Sequence, residues 1–254
     1  MLNVHFGHYS QFENLKGMTL LDMHSHSTFS DGRDKAEKCL KRAKKLGLNL
    51  CLTDHNVISG SKIACESGLS IPSIEVTSSE AYDFLFYFYT FADLEDFYQK
   101  WIKGHRMVEH SFLNYYRLRW SAEELLKKAK DHQAVVILPH PDAIPPKNSG
   151  IFIEGNKHFL KNIDAIEVIN STMSEASNIK AVDYARKWKK PAIGCSDAHL
   201  SRFIGAGVTA FESDTVETIL EDIKKGRNLI VGNNLKFFHK VQSHMTVIKN
   251  NLRW

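Results

Sequence analysis

Short apolar runs alternate along this chain with amphipathic stretches, and this alternation constrains the fold more than any other feature of the sequence. Apolar runs of this length, bounded by polar or turn residues, are typical of buried strands. A strand-then-helix order repeated about seven times predicts parallel strands joined by crossover helices, which is the α/β class. The predicted strands are MTLLDMHSH, LNLCLTDH, IPSIEVTS, DFLFYFYT, AVVILPH, AIEVINS, PAIGCSDAH and NLIVGN.

The amphipathic stretches carry helix start and stop signals. One of them ends at Gly47, the residue type favoured just after a helix. In another, Ser121 followed by Glu124 has the spacing of a capping box. The predicted helices cover residues 34–46, a segment after Ser121, residues 175–188, residues 216–223 closed by Gly226 and, with a weaker pattern, residues 235–254.

Two architectures fit this order, an open doubly wound sheet and a barrel. No GxGxxG motif follows the first predicted strand, which disfavours a dinucleotide-binding fold. No internal repeat, low-complexity tract or linker divides the sequence, so we expect a single domain over residues 1–254. With 254 residues, 43% of them hydrophobic, the chain can bury one sizeable core.

The composition limits the kind of substrate and the cellular compartment that can be expected. A formal net charge of +4 suits an anionic substrate but does not indicate a dedicated nucleic-acid surface. The four cysteines form no CxxC pair and the first residues show no signal-peptide pattern, so we expect reduced thiols in a cytoplasmic protein. No apolar run approaches the roughly 20 residues that cross a bilayer, so no membrane partner is expected.

Metal-capable side chains occur at nearly every predicted strand, mostly at its carboxyl end. In barrels and open α/β sheets that edge is where active sites are built. Single residues of this kind have ordinary explanations, such as a turn or cap role for Asp31. Such explanations do not account for the pairs His-x-His, Asp-His and Asp-x-His, because these pairs occur together at three separate strand ends. The residues in question are His24, His26, Asp31, Asp54, His55, Glu75, Asp83, His140, Glu167, Asp197 and His199.

The one-residue gaps have a geometric meaning. Residues i and i+2 of a strand point to the same face, so His24 and His26 can reach one point together, as can Asp197 and His199. Imidazole nitrogens and carboxylate oxygens suit zinc, manganese and iron. The groups outnumber the three or four ligands that one ion takes. The sequence therefore predicts two or three adjacent divalent ions, with a carboxylate such as Glu75 able to bridge a pair.

These segments carry a family resemblance. DMHSHSTFSDG, LTDHN, SIEVTSSE, LPHPDA and GCSDAH followed by IGAGVT resemble, in order, the motifs of the PHP family, named for polymerase and histidinol phosphatase. The motifs span residues 22–209, within a motif core of about residues 18–234. The resemblance implies a distorted TIM-like (β/α)7 barrel with a site for two or three metal ions.

The resemblance also implies which residues bind each ion. By position in the motifs, the first set is His24, His26, Glu75 and Asp197; the second is Glu75 and His140, with Glu75 as the bridge; the third is Asp31, His55 and His199. Asp54 is expected to orient His55 without binding metal, and Glu167 to play a supporting role.

One position departs from the family pattern. Asp83 stands where the family commonly has a histidine, before an apolar pair and a tyrosine. A carboxylate can still bind metal, so Asp83 is a candidate ligand. Alternatively, the second ion is bound more weakly or is missing.

The implied chemistry is hydrolysis of a phosphoester by a metal-activated hydroxide, without a covalent phosphoenzyme. No serine or cysteine motif supplies a nucleophile, and Cys195 is expected to pack in the core. No catalytic residue beyond the metal ligands is predicted. Arg202 and Arg33 are candidate cations for the substrate phosphate, although each could be an ordinary surface residue.

Three functions remain open. The first is hydrolysis of a small phosphomonoester. The second is a phosphodiesterase or exonuclease acting on nucleic acid or nucleotides, which would need exposed stacking aromatics. The aromatic run YDFLFYFYTF is more typical of a buried strand, which favours the first function. The third is a metal-binding module without catalysis, whose mark would be missing ligands.

Overall fold

The computed structural model describes residues 2–107, 117–145 and 147–251. The strands are β1 Val4–Phe6, β2 Thr19–Asp22, β3 Asn49–Leu50, β4 Ser73–Thr77, β5 Asp83–Tyr87, β6 Val135–Leu138, β7 Ala165–Asn170, β8 Ala192–Cys195, β9 Gly207–Phe211 and β10 Leu229–Gly232. The helices are α1 Ala36–Lys45, α2 Ser59–Ser67, α3 Phe91–Phe97, α4 Ala122–Asp131, α5 Ser149–Gly155, α6 Glu175–Trp188, α7 Val216–Lys225 and α8 Phe237–Asn251. All eight predicted strands are present, whereas β1 and β9 were not predicted as strands.

The described strands form two five-stranded sheets, in the orders β1-β10-β9-β2-β3 and β4-β5-β6-β7-β8. The α/β class is confirmed, but the prediction of parallel strands throughout is wrong. β5 runs antiparallel to β4 and β6, and β9 runs antiparallel to β2 and β10. The cause at β5 is its short link to β4 over residues 78–82. A parallel partner needs a crossover of a dozen or more residues.

The two sheets approach each other where the segments after β2 and β3 pair with the segment after β8 and with β4. Single parallel bridges join His55 to Glu75 and Ser25 to Ala198. Across the second contact, the amide of Asp197 donates to the carbonyl of His24 at 2.9 Å. The sheets therefore meet at segments that carry metal-capable side chains. Among the described residues the ladders stay separate and do not form one closed sheet.

The aromatic run around β5 is buried, as its pattern predicts. Phe84, Phe86 and Phe88 are fully buried and pack on one face with residues of α3 and α4. On the opposite face, Leu85 and Tyr87 pack with β2 and β6 side chains. Full burial of each such side chain contributes about 1.5–3 kcal/mol. This run therefore supplies core and offers no exposed platform for stacking bases.

The helix signals are also confirmed. Ser121 and Glu124 make both hydrogen bonds of the capping box at the start of α4. Gly47 and Gly226 have φ of 70° and 64°, the left-handed conformation expected just past α1 and α7. Helix α8 confirms the predicted final helix; residues 252–254 of that prediction lie outside the described part of the chain.

Cys195 is fully buried, as expected, and all four cysteines are free thiols. Within residues 2–107, 117–145 and 147–251, no helix is both long and apolar enough to cross a membrane.

Candidate metal centre

The first two histidines are held by the backbone that follows β2. The amide of His26 donates to the carbonyl of Ala198 at 3.0 Å, so this segment pairs with the segment after β8. Tyr87, fully buried in β5, donates its hydroxyl to the carbonyl of Met23 at 2.6 Å. Because these hydrogen bonds hold the backbone on both sides, the side chains of His24 and His26 reach the same region. The Nε2 atoms of His24 and His26 lie 3.1 Å apart.

A second backbone contact brings in the residues after β3. The amide of Glu75 donates to the carbonyl of Thr53, and the amide of Asn56 donates to the carbonyl of Glu75. His55 is thereby placed beside the Glu75 side chain, and its Nδ1 lies 3.2 Å from Oε2 of Glu75. His55 and Glu75 therefore converge on one point, as their positions predict.

Glu75 lies at the centre of the cluster. Its Oε2 is 3.4 Å from Nε2 of both His24 and His26, and its Oε1 is 3.3 Å from Nε2 of His140. A carboxylate whose two oxygens face different imidazoles has the arrangement expected of a bridging ligand. Of the residue's surface, only 1% is exposed.

Asp197 and Asp31 complete the cluster. Oδ1 of Asp197 lies 3.2 Å from Nε2 of His26 and 3.6 Å from Nδ1 of His199. Oδ2 of Asp31 lies 3.3 Å from Nε2 of His199 and 3.6 Å from Nε2 of His55. Eight of the nine predicted ligands thus come together. Their possible ligand sets are His24–His26–Asp197, His24–Glu75–His140, His26–Asp31–His199 and His26–His55–Glu75, with the atoms of each set within 4.8 Å of one another.

The charges of the cluster are strongly coupled. Burial raises the pKa of Asp197, but His24 and His26 outweigh this effect and hold that pKa well below its usual range. The pKa of Glu75 is likewise low, because His55 and His24 outweigh its burial. Burial opposes the charged form of His199, yet Asp31 raises its pKa to about 9. The site therefore contains ionised carboxylates at neutral pH.

Two further residues, Glu167 and Asn170, contact side chains of the cluster through hydrogen bonds. Oε1 of Glu167 lies 3.0 Å from Nδ1 of His24, so Glu167 has the supporting position that was expected of it. Asn170 donates to Oε2 of Glu167 at 2.9 Å and to Oδ2 of Asp197 at 3.1 Å. Asn170 was not identified in the sequence. Its one signal is a polar residue at the carboxyl end of the apolar strand β7.

Asp54 forms hydrogen bonds that the sequence did not predict. Its carboxylate accepts hydrogen bonds from the amide and hydroxyl of Ser27 and from the hydroxyl of Ser30. These groups belong to the segment between His26 and Asp31, so Asp54 orders that segment. The expectation that Asp54 also orients His55 stays a prediction.

Asp83 lies at the edge of the cluster. Thr77 donates to its Oδ1 at 2.6 Å, and the ammonium of Lys147 donates to its Oδ2 at 2.7 Å. Oδ2 is 4.0 Å from Nε2 of His140. Asp83 is part of none of the four ligand sets found among the described residues. Lys147 was not identified in the sequence, because it lies in a loop with no motif of its own.

The two candidate arginines lie outside the cluster. The amide of Arg33 donates to the carbonyl of His199, which places the residue near the site, but its side chain is exposed. The guanidinium of Arg202 donates to Gln242 of α8 and lies over the ring of Phe203, 4.8 Å from its centroid. Both arginines line a small surface cavity with Asp34, Lys38, Leu200 and Ser201.

The side chains fit a group of divalent ions. Imidazole nitrogens and carboxylate oxygens are the donors that zinc, manganese and iron share. Several of them are buried without a hydrogen-bond partner among the described residues, including Nδ1 of His26 and Oε1 of Glu75. Buried polar atoms normally have partners. Cations within the four ligand sets would supply them.

Comparison with known proteins agrees with this site. A model of the PHP domain matches residues 22–139, and a model described as PHP-associated matches residues 175–228. A relative by sequence is the uncharacterized protein MJ0417 of Methanocaldococcus jannaschii, 30% identical over 97 residues. That match covers 37% of this chain and 41% of MJ0417, so it spans about two fifths of the relative.

Solved structures share the fold at low sequence identity. A two-domain protein of Bacteroides vulgatus, described as containing a predicted PHP-like metal-dependent phosphoesterase, is 18% identical with a TM-score of 0.57; the match covers 85% of this chain and 66% of that one. The lesion-specific endonuclease EndoQ of Pyrococcus furiosus is 21% identical with a TM-score of 0.63, covering 84% and 57%. An Endonuclease Q complex with a 27-mer duplex has a TM-score of 0.66 at 19% identity, covering 85% and 60%.

The two family models together cover more than half of the chain, and they include every residue of the cluster except His140. The motifs, the converging side chains and these matches lead to the same conclusion: this chain belongs to the PHP family.

Proposed function

We propose that this protein is a metal-dependent phosphoesterase that hydrolyses a small phosphomonoester. The observation that carries the proposal is the convergence of five imidazoles and three carboxylates within the four overlapping ligand sets. So many ionisable groups in a buried cluster are costly unless a cation compensates them. The metal ligands in this proposal are His24, His26, Asp31, His55, Glu75, His140, Asp197 and His199.

Two or three ions of zinc, manganese or iron would be bound, with Glu75 between two of them. When bound, such ions lower the pKa of a water molecule and offset charge on the phosphoryl oxygens. The protein's part is to hold the ligands in place. Glu167 fixes the ring of His24, and Asn170 ties Glu167 to Asp197. Asp54 holds the segment that carries His26 and Asp31.

The thiol of Cys195 is poorly suited to act as the nucleophile of the reaction. Cys195 ends β8, opposite Asn170 of β7, and burial keeps the pKa of its thiol well above the ordinary value. A thiol held in the protonated form is a poor nucleophile. Direct attack by water, without a covalent phosphoenzyme, therefore suits this site better.

A second candidate is cleavage of a phosphodiester in nucleic acid. The similarity in fold to Endonuclease Q, whose complex has a duplex with an abasic lesion at the active site, favours it. The burial of the β5 aromatic run argues for the smaller substrate, because that run cannot stack on bases. A third candidate, a metal-binding module without catalysis, fits less well, since eight of nine ligand positions converge.

The experiment measures bound metal by elemental analysis and then compares two substrates with added manganese. Turnover of p-nitrophenyl phosphate supports the monoesterase, and turnover of bis-p-nitrophenyl phosphate or of an abasic duplex supports the diesterase. Metal binding without any turnover supports the third candidate. His26→Ala is expected to remove both metal and activity, whereas His5→Ala in the half-buried strand β1 should change neither. A metal-free yet active His26→Ala protein would end the proposal.

Arg202 and Arg33 remain proposed contacts for the substrate phosphate, supported by their position beside His199. Arg202→Ala is then expected to raise KM and leave metal content unchanged. An unchanged KM would remove Arg202 from the assignment.

We also propose that residues 1–254 form one cytoplasmic domain with the distorted (β/α)7 arrangement of the family. The two bridges between the sheets, at His55–Glu75 and Ser25–Ala198, support this arrangement. Limited proteolysis tests the single domain, since two domains would yield two stable fragments.

A further inference from the structure

The loop between β6 and α5 brings a lysine to the edge of the metal centre. His140 begins this loop, with a φ of 43° that few residues other than glycine adopt. The loop then folds back, because the amide of Gly150 donates to the carbonyl of Pro141 at 2.7 Å. A side chain at Gly150 would clash with that carbonyl, at 2.6 Å from the added carbon. His140 and Lys147 thereby face the same side of the cluster.

Lys147 is held there by Asp83. Asp83 lies opposite Thr77 in the antiparallel pairing of β4 and β5. Thr77 is two residues after Glu75 and points to the same face of the sheet. The hydroxyl of Thr77 donates a hydrogen bond to Oδ1 of Asp83 at 2.6 Å, and the ammonium of Lys147 donates one to Oδ2 at 2.7 Å. The same Oδ2 lies 4.0 Å from His140, whose ring is 3.3 Å from Glu75. Lys147 is therefore connected to Glu75 through Asp83 and His140, at the edge of the cluster.

The two partners of this ion pair differ sharply in exposure. The side chain of Asp83 is 0% exposed, whereas that of Lys147 is 46% exposed. An ammonium has three N–H donors, and Asp83 is its one hydrogen-bond partner among the residues that the structure describes. Lysine is charged at neutral pH, and the ion pair with Asp83 at 2.7 Å favours the charged form. A fixed positive charge with free donors faces solvent beside the centre.

The arginines nearby lack this arrangement. Arg202 is bound to Gln242, and the side chain of Arg33 is exposed at a backbone contact with His199. We propose that Lys147 binds an anionic oxygen of the substrate's phosphoryl group, with Asp83 and Thr77 as the positioning residues that aim its ammonium. This inference rests on the proposed function and adds to it the contact on the His140 side. It also gives Asp83 a role other than metal ligand.

The test measures binding of inorganic phosphate to the manganese-loaded protein by calorimetry, together with metal content. Lys147→Met is expected to weaken phosphate binding about 10- to 100-fold, the loss typical of one charge-assisted hydrogen bond. Its metal content should equal that of the wild type. Lys147→Arg keeps the charge and should recover most of the affinity. The matched control is Lys187→Met, which removes an exposed lysine of α6 paired with Glu154 of α5 at 2.7 Å.

Several outcomes would overturn the inference. They are phosphate binding to Lys147→Met within twofold of the wild type, a gain or loss of metal in that variant, and no phosphate binding by the wild-type protein. A thermal melt of each variant separates a folding defect from a binding defect, and Lys147→Arg serves where the Met variant unfolds. Because phosphate binding is measured without turnover, the proposed function is judged separately. A wild-type protein that binds phosphate through Lys147 but hydrolyses no ester contradicts only the function.

Discussion

Glu167 and His24 form a fully buried pair, with Oε1 of the carboxylate 3.0 Å from Nδ1 of the imidazole. This contact fixes which nitrogen of His24 faces the cluster, because Nδ1 is engaged and Nε2 is left toward His26 and Glu75. A carboxylate behind a ligand histidine also increases the basicity of the ring. We therefore expect Glu167 to raise metal affinity through His24, from outside the possible ligand sets.

The first prediction concerns this pair. Glu167→Gln keeps the size and one acceptor oxygen but removes the negative charge. We expect metal affinity to fall about 10- to 100-fold, the usual effect of losing such a partner. Competition with a chromogenic chelator measures it. Glu175→Gln, an exposed residue at the start of α6, is the control and should leave affinity unchanged. Equal affinities for both variants would show that the pair is only structural.

The second prediction concerns Asp83. Asp83→Asn retains an acceptor for Thr77 but loses the charge that holds Lys147. We expect metal content to stay constant and phosphate binding to weaken about as much as in Lys147→Met. Because both variants break one interaction, the double variant should be no weaker than Lys147→Met alone. Calorimetry gives the affinities, and elemental analysis gives the metal. Loss of an ion from Asp83→Asn would instead make Asp83 a ligand.

The third prediction concerns Gly60 of α2. A Cβ at this position would lie 2.1 Å from Oδ2 of Asp54, the carboxylate that holds Ser27 and Ser30. Gly60→Ala therefore requires Asp54 to move, and the His26–Asp31 segment with it. We expect a destabilisation of about 1–3 kcal/mol together with weaker metal binding. Urea unfolding and chelator competition measure the two effects.

A suitable control is Gly155→Ala. Gly155 ends α5, and an added Cβ there meets no atom within 4 Å among the described residues. Its stability should stay close to that of the wild type. If Gly60→Ala lowers stability but leaves metal affinity intact, Asp54 does not order the site.

The fourth prediction concerns pH and the metal-free protein. The pKa of His199 is about 9 in the folded state against an ordinary 6.5, despite burial, because Asp31 stabilises the charged ring. The folded state therefore holds this proton more tightly than the unfolded state. The resulting stabilisation is complete below about pH 6.5 and is lost as the pH rises through about 9. The pKa of His24 is raised well above its usual value and acts in the same direction.

Urea unfolding in the presence of a chelator, at about pH 6 and about pH 9, measures this loss. The His199→Asn protein should lose less stability over the same interval. Metal-loaded protein should not follow the same course, because a ligand histidine is neutral and its proton is already gone. A metal-free protein whose stability rises toward pH 9 would contradict the prediction.

Much of the site could be predicted from local patterns. Alternation along a strand places i and i+2 on one face, so His24 with His26 and Asp197 with His199 were each expected to reach one point together. His24 and His26 share one possible ligand set, whereas Asp197 and His199 lie in different sets, with Oδ1 and Nδ1 3.6 Å apart. The core was predictable for the same reason, because the apolar run at β5 has buried side chains on both faces. Capping patterns at Ser121 and Gly226 predicted where helices start and end.

The strand directions at β5 and β9, and the contacts of Asp54, Asn170 and Lys147, depended on the tertiary structure. Each of these contacts joins residues far apart in the chain, such as Lys147 and Asp83, and no local periodicity encodes such a distance. The sequence by itself determined which donors are available and on which face of each strand they lie. Only folding decided which donors lie within one possible ligand set and which bind another protein group, because long-range packing sets the distances between side chains.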